Sequence, residues 1–158
     1  MERNWKFVKE KDQVFEKAFG RNHYWHYHPE IIKQADSFMV KVVMPEGGGH
    51  NFHIHPEMHE ILYILKGTAE QWIEDEMQLL KAGDSVYIGA NIAHGTFNAG
   101  QGELEFLAIL FPWPKFSGLP YFWKCRIQEQ LLLAPLASYA SAREKYRHRG
   151  KYPECLEV

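Results

Sequence analysis

The chain has 158 residues, 46% of them apolar and 15% aromatic, with a formal net charge of −2. Such a length buries most of a one-domain core, and the composition excludes a disordered chain. With no basic field and no apolar run long enough to span a bilayer, neither nucleic acid nor a membrane is an expected partner.

The N-terminal MERNWKFVKEKD carries charge without an apolar stretch behind it, so no signal peptide is expected and a cytoplasmic location fits. Cys125 and Cys155 are too few for a disulfide framework and stand in no metal-ligand spacing. Residues 8–19, VKEKDQVFEKAF, predict a short charged helix ending at Gly20. HYHPE at 26–30 puts His26 and His28 in alternation among Tyr24, Trp25 and Tyr27, a strand or arm packed on aromatic surface. Lys33, five residues after His28, would repel a cation there.

From about 35 to 110, short β-prone runs alternate with turn signals. The expected strands lie in DSFMVKVVM, NFHIH, EILYIL, AEQWI, DSVYI, HGTF and ELEFLAIL, with breaks at PEGGG, KG, EDE, KAGD, GAN and NAGQG. This rhythm is that of an all-β sandwich or barrel. In EILYIL, Glu60, Leu62 and Ile64 share one face, while Ile61, Tyr63 and Leu65 share the other. Both faces are mostly apolar, so cover on both is expected: a barrel interior on one, a helix, second sheet or another subunit on the other. After residue 111, FPWPKFSGLPYFW is a Pro-punctuated aromatic loop. RIQEQLLLAPLASYASAREKYRHR then predicts helix interrupted near Pro135. The expected organisation is an N-terminal arm (1–34), a barrel (35–112), and an aromatic loop with a helical tail (113–158) packed on the same domain. The double-sided apolar strand and the loop aromatics favour a homodimer.

Nine histidines are the unusual entry in the composition, and eight of them lie between His23 and His94. A period of two puts His53 and His55 on one face of a strand, and a reversal after HPEM brings Glu60 towards them. The turn GAN precedes His94 and aims its ring inward. Three neutral imidazoles and a carboxylate suit a divalent first-row ion: Fe, Mn, Ni, Co, Cu or Zn. The frame is longer than these four residues. From Gly47 there follow five residues, His53-Ile54-His55, four residues, Glu60, six residues and Gly67. After 15 more residues come Gly83, five residues, Gly89-Ala90-Asn91, two residues, His94, three residues and Asn98.

These two stretches resemble the paired motifs of the cupin superfamily. Gly89 departs from the usual proline and Asn91 from the usual glycine; Asn readily accepts a left-handed backbone. The resemblance implies an all-β, single jelly-roll barrel (a double-stranded β-helix), here with a C-terminal helical segment. It also implies His53, His55, Glu60 and His94 as ligands of one divalent transition metal ion, and a small-molecule substrate or ligand. Leu62 stands where some relatives carry a basic tyrosine, which counts against that lyase mechanism. The leading expectation is a metal-dependent enzyme of the non-haem dioxygenase type. Its alternatives are an isomerase, lyase or decarboxylase acting on a small keto or hydroxy acid or a sugar, and a non-catalytic ligand-binding or sensory protein. Of the other histidines, His50, after the Gly-rich turn, is expected on a solvated loop, with the mouth of the site as the alternative; His59 is expected in a structural or interfacial place, and His148 at a solvated helix end.

Overall fold

The computed structural model describes residues 5–27, 32 and 35–112. Ten strands follow in chain order: β1 (Val14–Ala18), β2 (Arg21–Tyr27), β3 (Phe38–Met44), β4 (Gly49–His53), β5 (His59–Lys66), β6 (Thr68–Ile73), β7 (Glu76–Lys81), β8 (Ser85–Ile88), β9 (His94–Asn98) and β10 (Leu104–Phe111). They pair antiparallel into a six-stranded sheet, β1-β2-β3-β10-β5-β8, and a four-stranded sheet, β4-β9-β6-β7. The described residues are thus all-β. The expected C-terminal helix, most of the aromatic loop, His28, Cys125, Cys155 and His148 lie outside them. Among the described residues no helix is long and apolar enough to cross a membrane.

Alternation builds the core. Phe38, Val40, Val42 and Met44 of β3 pair across to Leu110, Ala108, Phe106 and Leu104 of β10, and all eight are buried. On β5, Leu62 and Ile64 continue the same face, and Ala69 joins the cluster from the other sheet. Each Val, Leu, Ile, Phe or Met among them contributes about 1.5–3 kcal/mol when fully withdrawn from water. On the outer face of β5, Tyr63 and Leu65 are 43% and 41% exposed.

The expected helix over 8–19 does not form. Glu10–Asp12 is one 3-10 turn, and Val14–Ala18 is an edge strand paired with β2. The reason is local: Phe19 (φ 53°) and Gly20 (φ 72°) are both left-handed, the two-residue turn whose twist suits a hairpin. The stretch read as an arm therefore supplies two strands to the larger sheet. On β2 the side chains of Arg21, His23 and Trp25 are buried. Strand β7 had no expected counterpart, because it sits at a sheet edge and its residues are nearly all exposed.

Two motif residues serve the backbone. Gly67 (φ 84°) joins β5 to β6, and a Cβ there would stand 2.8 Å from the Glu103 carbonyl oxygen. Asn98 ends β9 with its Nδ2 at 3.2, 3.0 and 2.7 Å from the carbonyls of Met44, Pro45 and Gly102. Its Oδ1 accepts the Gly100 N–H at 3.0 Å. Asn98→Leu orphans several of these groups, and a loss of about 2–4 kcal/mol is expected in denaturant unfolding.

Candidate metal centre

The four residues singled out in the sequence come together. One ligand atom from each of His53, His55, Glu60 and His94 lies within 4.8 Å of all the others, and all four residues are buried. Atoms at about 2.0–2.2 Å from a shared ion stand at most about 4.4 Å apart, so the cluster is a few tenths of an ångström wider than a closed ion cage.

Both sheets contribute. β4 ends at His53 and β9 begins at His94, and the two residues are directly paired. His55 lies just beyond the end of β4 and is still turned to the interior. Its carbonyl accepts the N–H of Asn91, whose φ of 62° is the left-handed turn expected before His94. Glu60 comes from β5 in the facing sheet, where it shares the inner face with Leu62 and Ile64. The reversal after HPEM thus crosses the barrel.

Hydrogen bonds fix two of the rings. Nδ1 of His53 donates to the Asn51 carbonyl and Nδ1 of His94 to the Ile92 carbonyl, each at 2.8 Å. That tautomer leaves each Nε2 as a lone-pair donor. Oε2 of Glu60 stands 2.8 Å from Nε2 of His94 and 3.3 Å from Nε2 of His55. Yet His53 Nε2, His94 Nε2 and Glu60 Oε2 are buried with no hydrogen bond of acceptable geometry. Convergent orphaned lone pairs are costly for a fold to keep, and a cation would satisfy all of them.

A profile of the cupin domain matches residues 40–110. An uncharacterized protein of Methanocaldococcus jannaschii is 31% identical over 85 residues, covering 54% of this chain and 68% of that one. The chain belongs to the cupin superfamily. An oxalate-binding protein of Thermotoga maritima is 28% identical over 81 residues, 51% of this cupin and 67% of its own length. Among solved structures, KdgF from Halomonas sp. superposes with a TM-score of 0.62 at 19% identity, covering 70% of this cupin and 96% of itself. That likeness is one of fold.

The electrostatics of the cupin site are unlike those of free side chains. Burial works to raise the Glu60 carboxyl, but the His55 and His94 rings prevail and hold it well below the ordinary carboxylate range. Burial, followed by the His94 and His55 rings, pushes His53 well down. For His94 burial is outweighed by Glu60, and the ring is raised. The cluster is an ionised carboxylate among imidazoles of unequal proton affinity.

The remaining histidines divide. His26 is on β2 with its Nε2 3.1 Å from Gln13 Nε2, away from the cluster. His59 faces outward as expected: its Nδ1 meets Tyr87 Oη at 2.7 Å and the Ala90 N–H at 3.3 Å, and its ring lies between Tyr87 and Phe111. His50 corrects the sequence reading. It is half-buried on β4, with its ring stacked on that of His53 at 3.9 Å and 27°. Alternation from His53 would turn a residue three positions away to the opposite face. A register shift between His50 and His53 adds one residue to β4 opposite β9 and brings His50 back inside. The sequence carries no turn residue that marks this bulge.

Proposed function

We propose that this cupin is a metal-dependent small-molecule enzyme in which His53, His55, Glu60 and His94 hold one divalent ion. The observation that carries the reading is the convergence of four buried ligand atoms within 4.8 Å. Bound there, such an ion supplies a Lewis-acidic centre for an enolate, carboxylate or catecholate-like oxygen. The single carboxylate leaves the site a net charge of about +1, which selects anionic oxygen donors. Leu62 and Ile64, 1% and 0% exposed, exclude water from the wall beside Glu60. A four-residue ligand set leaves room for both a substrate and a second reactant, so oxygenation of the non-haem dioxygenase type is placed first.

A second reading, binding or decarboxylation of a small acid, is favoured by the resemblance to the Thermotoga oxalate-binding protein. Oxygen uptake by the Fe(II)-loaded chain over catechols, diketones and thiols separates the two. Uptake with at least one of these is expected. No uptake with any, together with oxalate binding in calorimetry, would transfer the assignment to the second reading.

A further inference from the structure

The register of the smaller sheet places a second row of polar side chains next to the metal cluster. One row crosses β4, β9 and β6 as His53, His94 and Ile73; the adjacent row is His50, Thr96 and Gln71. Thr96 and Gln71 are 3% and 2% exposed, and the β4 bulge adds His50 to the same side. Opposite them the larger sheet presents Leu62 and Ile64, so the interior is polar on one wall and apolar on the other.

We propose that His50, Thr96 and Gln71 form a recognition strip for the far end of a ligand whose near end is an acid oxygen at the metal cluster. This rests on the metal-site reading of the preceding subsection and names its substrate class: a short hydroxy or keto acid. Two residues along a strand span about 6–7 Å, the reach of a four-carbon acid. The strip has capacity left for such a group. Thr96 Oγ1 donates to Gln71 Oε1 at 2.7 Å, and Gln71 Nε2 donates to the Trp72 carbonyl at 3.1 Å. The threonine oxygen keeps its lone pairs and the glutamine amide keeps one N–H, a donor and an acceptor side by side. Thr96 and Gln71, which carry the free donor and acceptor, have no charge, so a hydroxyl or carbonyl suits that pair better than a second carboxylate.

The test is calorimetric titration of the Mn(II)-loaded full chain with 4-hydroxybutyrate and butyrate, which differ only in the distal hydroxyl. The wild-type chain is expected to bind 4-hydroxybutyrate roughly 10-fold more tightly, the effect of one or two buried hydrogen bonds. Thr96→Val and Gln71→Leu should each erase that preference by weakening 4-hydroxybutyrate binding, with manganese content unchanged. Equal binding of the two acids by the wild type would overturn the strip and leave the metal-site reading standing. A preference that survives both substitutions would make the Thr96–Gln71 pair a purely structural cross-strand bond, which also overturns it. Should neither acid bind, the acid-binding metal reading fails and the strip fails with it. Thr96→Val is close to isosteric and carries the test alone if Gln71→Leu does not fold.

Discussion

His94→Ala is expected to weaken divalent metal binding by at least ~100-fold. Loss of even an outer partner of a ligand costs up to about that much, and His94 is placed in the ligand set itself. The substitution also removes the ring whose Nε2 lies 2.8 Å from the Glu60 carboxylate, one wall of the ion site. A metal that binds only the folded chain stabilises it, and that contribution goes with the metal. The expected result is therefore twofold: metal analysis finds the purified variant nearly empty, and its unfolding midpoint falls. His26→Ala is the matched control, because that ring lies on β2 against Gln13. Unchanged metal occupancy in His94→Ala would remove His94 from the site. Loss of metal in His26→Ala would make the first His-x-His word a ligand source.

Acidification from pH 7.5 to 5 is expected to release the metal and to lower the stability of the metal-free chain. His53 and His50 are both held well below the ordinary imidazole value, His53 by burial and its neighbouring rings, His50 by burial and Arg21. Below about pH 6.5 the unfolded chain takes up protons that these native rings resist, so stability falls with pH. His94 works the other way. Its raised value stabilises the fold at low pH, and that contribution is lost as the pH rises through the folded value. Glu60, depressed, holds its contribution across this window and loses it only as the pH falls through its folded value. Two imidazoles oppose one, so the net slope is downward on acidification. Metal adds to the same trend, since protons compete for the ligand nitrogens. At a free metal concentration about 1,000 times Kd, binding contributes about 4 kcal/mol, or roughly 10 °C in Tm. Thermal scans with metal and with chelator should converge towards pH 5. A Tm that rises on acidification would contradict the assignment.

The cluster was legible because its parts obey short-range rules. A reversal, a left-handed Asn91 and a strand start at His94 are local features, and each is present where the spacing placed it. The apolar face of β5 was legible for the same reason: alternation over eight residues leaves one possible inward set. The misses share another cause. Val14–Ala18 became strand because the Phe19–Gly20 turn gave it β2 as a partner, and pairing outweighed a charged, helix-compatible composition. Strand β7 has little burial on either face and so gives no alternation to read. The place of His50 beside His53 was the less favoured of two expectations, because a bulge reverses parity without a sequence mark. Thr96 and Gln71 were within reach. Thr96 stands two residues after His94, and the same parity that located the cluster also locates its polar neighbour.

Anomalous scattering from a crystal of the metal-loaded chain decides whether these four side chains hold an ion. One peak per chain is expected, about 2.0–2.2 Å from a nitrogen of His53, His55 and His94 and from an oxygen of Glu60. A chain that takes up no ion, or a peak bonded to other side chains with these four left apart from it, would contradict the account.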